Sequence, residues 1–398
     1  MSTKKLNLGI AGLGRGFSVM LPALTLNPMI NILAATDLRR SALDRFENDF
    51  DGKAYTSLQS MCSDDRLDAI YIATPHQFHI DHVTLAAGMG KHILVEKPMA
   101  ITIDECTAMI KAARNAGVYL VVGHSHSFDT PIKKTQQIIE AETLGKLKMI
   151  TALNYTDFLY RPRRPEEFVT AMGGGVVFSQ GSHQVDIVRL LAGGRGESVY
   201  AAIGDWDENR PADGAYTALI KFADGVFANI SYNGYGRFDT DQFTGWISES
   251  GIAKDPDNYG VARRSLEKIN NDNAEILLKD SRAYGGESSV SIPTSNYMKN
   301  RYYEHFGSLI VSCTRGDINP LPDRIDLYGD QKKTEILKPP TFPRAEVFEE
   351  LYDAVFKGIE PLHNGEWGRA NLEMCLAIIK SAENGKEIKL KYQVPAKG

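Results

Sequence analysis

Long apolar runs are absent from this chain. No stretch approaches the roughly 18 residues that a membrane-spanning helix needs. Cysteine is scarce: Cys62, Cys106, Cys313 and Cys375 are the only four, with no C-x-x-C spacing. That excludes a disulfide scaffold and fits buried, reduced thiols in a cytoplasmic protein. An excess of positive charge is missing too. The formal charge of −5 and pI near 6.0 argue against nucleic acid as a partner. There is no internal repeat. The N-terminal apolar stretch is interrupted by Gly12, Gly14, Arg15 and Gly16 and is followed by no small-residue cleavage site, so it reads as a first strand rather than a signal peptide.

What is present is ordinary globular material, 43% hydrophobic and 24% charged, over 398 residues. That length predicts two domains, divided as 1–124 and 125–398. Residues 6–122 alternate between apolar strand-like and helix-like segments. Ile30–Thr36, Asp68–Ala73, Ile93–Val95 and Val118–Val122 read as strands. Arg40–Phe50, His79–Met89 and Ile103–Asn115 read as helices, the last two stopped by Gly90 and Gly117. The alternation implies an α/β fold with a parallel doubly wound sheet. After about residue 125, one helix (Pro131–Glu142) precedes partly alternating runs: Lys148–Tyr155, Ser198–Gly204, Ala215–Phe222 and Val226–Tyr232. With Asp224-Gly225 as a hairpin turn, these predict a mostly antiparallel sheet. Residues 250–300 are polar and read as an insertion or long loops. Arg344–Lys357 and Asn371–Asn384 read as closing helices.

Several clusters carry chemistry. Gly12, Gly14 and Gly16 follow the first strand, where a glycine-rich turn lets backbone N–H groups and a helix N-terminus receive a pyrophosphate. The spacing departs from G-x-G-x-x-G, since Phe17 holds the last glycine position. Asp37, ending the second strand, suits the adenosine ribose hydroxyls of NAD and would repel a 2′-phosphate. Arg39 or Arg40 would instead favour NADP, and capping of the next helix is the structural alternative for Asp37.

Lys97 follows the apolar strand Ile93–Val95, at the sheet edge that faces ligand in such folds. A lysine with a pKa near 10.4 is a poor base until burial or a neighbouring positive charge lowers it. The stretch Gly173–Asp186 holds three glycines, Ser179, Gln180 and His183. His183 is expected to open a helix, whose dipole would disfavour its charged form. Packing within the helix is the alternative. His76, His79 and His82 recur every three residues, and His124 and His126 lie near a strand end, but the pattern lacks a fitting zinc set and no metal is expected. Arg161, Arg163 and Arg164 form a compact basic stretch stiffened by Pro162 and Pro165. It suits carboxylate recognition, or else a solvated loop or subunit interface.

These motifs, in this order, resemble the Gfo/Idh/MocA family of nicotinamide-dependent oxidoreductases over nearly the whole chain. The resemblance rests on Gly12-Leu13-Gly14, Asp37, Ala73–His79, Gly90–Pro98 with its Glu96-Lys97-Pro98 tripeptide, and Gly173–Asp186. It implies a Rossmann domain followed by a C-terminal α/β domain with an open sheet that makes subunit contacts, hence a homodimer or homotetramer. It also implies that Lys97 is the catalytic lysine, with a cis bond before Pro98, and that His183 is the active-site histidine. By the same resemblance Glu96 lies by the nicotinamide ribose, and Thr74, Pro75 and His79 line the cofactor. The family's usual aspartate four residues before the histidine is Ser179 here, which weakens an aspartate–histidine relay.

Within the family, Gly123–Asp129, Tyr160–Pro165 and Leu362–Arg369 are similar to the members that oxidise a cis-dihydrodiol of phthalate. Sugar-oxidising members read Gly-Phe-Asn-Arg-Arg-Phe where this chain has Gly123–Phe128. The expected activity is therefore NAD-dependent oxidation of a phthalate cis-dihydrodiol to 4,5-dihydroxyphthalate. His124, His126, Ser179, Gln180 and His183 would surround the diol and the three arginines would hold its carboxylates. An inositol or sugar dehydrogenase is the first alternative, and a non-catalytic NAD(H)-binding regulator the second.

Overall fold

The computed structural model describes residues 4–269, 271–289, 291–293 and 296–396. They form two compact units. The first holds the chain up to His124 together with Ile276–Tyr297 and Phe342–Arg369, two segments that a single cut after residue 124 would have assigned to the second. The second holds Ser125–Glu275, Met298–Thr341 and the chain from Ala370 onward.

The first unit is built on β1 (Leu6–Ala11), α1 (Arg15–Leu26), β2 (Ile30–Thr36), α2 (Arg40–Phe50), β3 (Lys53–Tyr55), α3 (Leu58–Cys62), β4 (Ala69–Ile72), α4 (His79–Gly88), β5 (His92–Val95), α5 (Ile103–Ala116) and β6 (Leu120–Val122). All six strands are parallel, in the order β3-β2-β1-β4-β5-β6. The central strands have apolar side chains on both faces. Leu8, Ile10, Ile70, Tyr71, Leu94 and Val95 are fully buried, because helices cover both sides of such a sheet. Local signals set the helix ends. Thr102 and Glu105 form a capping box at α5, and Gly117 stops it in the left-handed region. The strand order reverses between β1 and β4. That switch point is where an open parallel sheet offers a crevice beyond its carboxyl ends.

The second unit contains α6 (Thr130–Glu140), β7 (Leu147–Tyr155), α7 (Ser182–Leu191), β8 (Gly196–Gly204), β9 (Ala215–Phe222), β10 (Phe227–Asn233) and α8 (Val261–Leu266). α9 (Asp272–Ser281) crosses from this unit into the first. β11 (Ser308–Cys313), β12 (Gly316–Leu321), β13 (Arg324–Tyr328) and β14 (Lys332–Ile336) follow. α10 (Ala345–Lys357) returns to the first unit, α11 (Gly365–Asn384) begins there and ends in the second, and β15 (Ile388–Lys389) closes the second.

Its nine strands run β14-β13-β12-β11-β7-β10-β9-β8-β15, antiparallel except for the β7–β10 pair. The expected two-sheet α/β architecture is therefore present. β9 alternates cleanly: Ala218, Ile220 and Phe222 are buried, Thr217, Leu219 and Lys221 exposed. The other face carries a cross-strand row of Tyr200, Leu219, Asn229, Thr151 and Ile310. Residues 250–300, expected as an insertion or long loops, include α8 and α9. Polar composition hid these short helices, whose apolar positions are few.

Candidate functional site

In the first unit the expected cofactor residues converge on the β1/β4 switch point. The N–H of Gly12 donates to the carbonyl of Thr36 at 2.8 Å, and that of Ala73 to the carbonyl of Ala11 at 2.8 Å, so both loops leave the sheet together. Gly12 has φ +92°, and a Cβ built on it would lie 3.0 Å from backbone atoms of Ala73 and Thr74. Gly14 caps α1, with no side chain closing the helix start. A Cβ there would meet nothing within 4 Å, leaving room for a pyrophosphate over the first turn that holds Arg15 and Gly16. A Cβ on Gly16 would come 3.5 Å from Glu96 Cγ, which puts the glycine loop beside the Glu96–Lys97 turn. These residues fit a dinucleotide.

Asp37 is engaged from several sides. Its carboxylate accepts the N–H of Leu13 at 2.7 Å, and the N–H and Nε of Arg39 at 2.7 and 3.1 Å. Arg39 in turn donates to the carbonyls of Leu13 at 2.8 Å and Tyr284 at 3.1 Å. Sequence reasoning offered Asp37 and Arg39 as rivals for the adenosine end, whereas the structure pairs them. Arg40 instead pairs with Asp44 at 2.7 Å on the exposed side of α2.

The Lys97–Pro98 bond is cis, as the resemblance implied, and so is Gly123–His124. Lys97 is half-buried, two residues beyond the end of β5. Its neighbour Glu96 accepts a hydrogen bond from the fully buried Tyr71 hydroxyl. Burial pushes the Glu96 carboxyl above its ordinary range, against that hydrogen bond and the nearby Lys97 and Arg344 charges. His79 is buried. Its Nε2 lies 2.9 Å from the carbonyl of Thr74 and its Nδ1 3.1 Å from that of Met99. Protonation would give both carbonyls a donor, but burial dominates and pushes its pKa down to about 4. The ring thus braces the Thr74–Pro75 turn from beneath, tying it to the segment after Pro98. His82 Nδ1 meets Thr74 Oγ1 at 2.9 Å.

The second unit holds His126 and His183, while His124 ends the first. His126 and His183 are buried with ring centroids 4.9 Å apart, and Phe306 lies 5.2 and 4.9 Å from them. Asp129 Oδ2 holds His126 Nδ1 at 2.7 Å, and Ser125 Oγ lies 3.4 Å from His183 Nδ1. Behind them Ser127 donates to Asp186, which also accepts from Asn371 at 2.6 Å. Asn371 accepts from the fully buried Arg189 at 2.6 Å. Burial lowers the Arg189 pKa to about 10 against the pull of Asp186.

His183 does not open its helix. Helical backbone begins at Gly175 and passes through a π-turn, Val177–Gly181, before α7. The helix-terminus field expected at His183 therefore does not act there. The π-turn carries Ser179, which donates to the carbonyl of Gly175 at 2.6 Å, and Gln180. The preceding glycines serve chain packing: a Cβ on Gly174 would fall 2.7 Å from the carbonyl oxygen of Glu167.

The arginine stretch splits by role. The Arg163 guanidinium sits 3.5 Å over the Phe158 ring, with Nη1 3.2 Å from Glu167 and Nη2 donating to the carbonyl of Phe158 at 2.9 Å. Arg161 pairs with Asp157 at 3.1 Å, its side chain 42% exposed. The backbone N–H of Arg164 donates to Glu167 at 2.7 Å. A row of rings, Phe158, Tyr232 and Phe306, runs from this loop to the histidine pair, with centroid spacings of 6.4, 6.0 and 4.9 Å. Sequence reasoning missed Phe306, for which no motif gave a signal. It also missed Ser125, Asp129 and Asp186, which lie inside motifs it had singled out.

Residues 6–124 match the model for an oxidoreductase family with an NAD-binding Rossmann fold, and residues 132–245 the GFO/IDH/MocA C-terminal domain. The chain is 41% identical over 384 residues to a 1-carboxy-3-chloro-3,4-dihydroxycyclohexa-1,5-diene dehydrogenase of Comamonas testosteroni, covering 96% of this chain and 95% of the relative. A trans-1,2-dihydrobenzene-1,2-diol dehydrogenase of Sus scrofa is 26% identical over 219 residues, 55% of this chain and 62% of its own. A solved structure from Bordetella bronchiseptica RB50, provisionally called a dehydrogenase, superposes with a TM-score of 0.90 at 37% identity, covering 97% of this chain and all of that one. With the glycine loop, the Glu96-Lys97-Pro98 turn and both domain models in place, the chain belongs to the Gfo/Idh/MocA family of NAD-binding oxidoreductases.

Proposed function

We propose that the protein oxidises a ring-carboxylated cyclohexadiene cis-diol with NAD⁺, and that the cis-4,5-dihydrodiol of phthalate is such a substrate, giving 4,5-dihydroxyphthalate. The observation that carries this is Lys97, set by Pro98 at the carboxyl end of β5 beside the glycine loop, in a chain 41% identical to a dehydrogenase of a carboxylated dihydroxycyclohexadiene. NAD⁺, held by Gly12–Gly16, Asp37, Thr74, Pro75 and Glu96, supplies the acceptor for the hydride leaving the carbinol carbon. Lys97 Nζ takes the hydroxyl proton from that carbon's oxygen. The ketone then tautomerises to the catechol, and aromatisation draws the reaction forward. In this reading His124, His126 and His183 contact the diol, with His126 Nδ1 2.7 Å from Asp129 Oδ2.

Recognition of the carboxylates is assigned to Arg161 and Arg164: Arg161 pairs with Asp157 but keeps 42% of its side chain exposed, whereas Arg163 is 12% exposed, stacked on Phe158 and paired with Glu167. Charge-assisted hydrogen bonds are worth roughly 1.5–3 kcal/mol. Arg161→Gln and Arg164→Gln should therefore each raise KM for the carboxylated diol about ten- to a hundredfold, leaving an uncharged cis-dihydrodiol unaffected. Arg163→Gln should lower the melting temperature and impair both substrates alike. Equal losses on both substrates for Arg161→Gln and Arg164→Gln would remove the carboxylate from the account.

The adenosine end is tested separately. The Asp37 carboxylate disfavours a 2′-phosphate and its pairing with Arg39 moderates that preference. NAD⁺ should be preferred, and Asp37→Ala, which leaves Arg39 without its carboxylate partner, should narrow the gap to NADP⁺ in kcat/KM. A wild-type preference for NADP⁺ would mean that Arg39 decides. Assembly belongs to the same reading: the exposed row of Tyr200, Leu219 and Ile310 would be covered by a second copy of this chain.

A further inference from the structure

We infer that Arg210 and Glu275 form a buried brace that sets the arginine loop, so that a residue of the 250–300 stretch becomes a positioning residue for substrate selectivity. The inference rests on the reading of Arg161 and Arg164 given above. Arg210 and Glu275 are 6% and 9% exposed. They pair through both guanidinium nitrogens, Nη1 to Oε2 at 2.9 Å and Nη2 to Oε1 at 2.6 Å. The remaining donors of Arg210 go into the loop: Nε to the carbonyl of Leu159 at 2.6 Å and Nη2 to the carbonyl of Arg161 at 3.2 Å. Glu275 Oε1 accepts the backbone N–H of Arg163 at 2.7 Å. The guanidinium also lies 4.8 Å from the centroid of the Phe168 ring.

The pair thus holds backbone atoms at 159, 161 and 163, on either side of the Arg161 side chain and just before Arg164. Neither member is available to a ligand, because each polar atom already faces a partner. A buried ion pair of this kind is costly to desolvate and adds little net stability, so geometric specification is its better-attested use. Here the geometry specified is that of the loop whose side chains read the substrate's charge. Glu275 reaches it from α9, a helix whose sequence gave no sign of a role.

The test compares Glu275→Gln, Arg210→Lys and Arg164→Gln. Each is assayed on a carboxylated cis-dihydrodiol and on the uncharged cis-dihydrodiol of benzene, with melting temperature and NADH binding as controls on folding. Glu275→Gln keeps an acceptor for Arg163 but loses the charge. Arg210→Lys keeps the charge but cannot hold Leu159, Arg161 and Glu275 at once. Both should raise KM for the carboxylated diol about tenfold with kcat nearly unchanged, and leave the uncharged diol and NADH binding as in the wild type. If Glu275→Gln does not fold, Arg210→Lys alone decides. Discrimination by Arg164→Gln without discrimination by the brace variants would overturn the brace. Failure of Arg164→Gln to discriminate would overturn the carboxylate reading and the brace with it.

Discussion

Lys97→Ala should bind NADH within a few-fold of wild type yet lose about 10²–10⁴-fold in kcat, the range that a positioned general base contributes. That corresponds to about 3–5 kcal/mol of transition-state stabilisation. The lysine stands two residues beyond a buried strand, next to Glu96, whose carboxyl is held by Tyr71. On the proposed mechanism its removal takes away the proton acceptor and leaves the glycine loop proposed to hold the dinucleotide undisturbed. Lys97→Arg should be nearly as slow, because a guanidinium does not surrender its proton near neutral pH. Stopped-flow measurement of NADH formation separates the chemical step from product release. Turnover near wild type in Lys97→Ala would assign the base elsewhere.

Gly12→Val should abolish measurable NADH binding and lower the melting temperature. At φ +92° a residue with a branched Cβ carries about 1–3 kcal/mol of backbone strain. The added carbon would also lie 3.0 Å from the backbone of Ala73 and Thr74, atoms that cannot rotate aside. The two loops at the switch point must then separate, and Thr74 and Pro75 move with them. Gly14→Ala is the informative control. Its Cβ meets no protein atom within 4 Å, so the melting temperature should hold while NADH affinity falls about tenfold or more, because the methyl occupies the space over the helix start. Calorimetric titration with NADH reads both variants. Wild-type affinity in Gly14→Ala would mean that the dinucleotide does not cross that turn.

The parallel sheet was legible because its signals are local. Apolar runs such as Ile30–Thr36 end at glycine or acidic punctuation, and β2 and α2 have the bounds that periodicity gave them. β9 and the Asp224–Gly225 turn were legible for the same reason. β11–β14 were not. Lys332–Ile336 is Lys-Lys-Thr-Glu-Ile with little to bury, and β12 contains Gly316, Asp317 and Pro320, so neither run shows a strand pattern.

Partnerships between distant segments were invisible too. Tyr284 packs its ring 5.1 Å from Phe17 and bonds Asp49 at 2.7 Å, which draws residues 276–297 into the first unit, and no periodicity encodes that. The arginine loop is a middle case. Asp157 with Arg161, and Arg163 with Glu167, stand at i,i+4 spacing in the sequence, so their pairing could have been anticipated. The hold of Glu275 on the same loop, from over a hundred residues away, could not.

The most direct measurement is turnover of the purified wild-type protein with NAD⁺, on the cis-4,5-dihydrodiol of phthalate and on myo-inositol in parallel, following NADH by absorbance and product by chromatography. The account predicts one NADH and one 4,5-dihydroxyphthalate per dihydrodiol consumed, with inositol left untouched. Oxidation of inositol with no NADH from any carboxylated cis-dihydrodiol would contradict it.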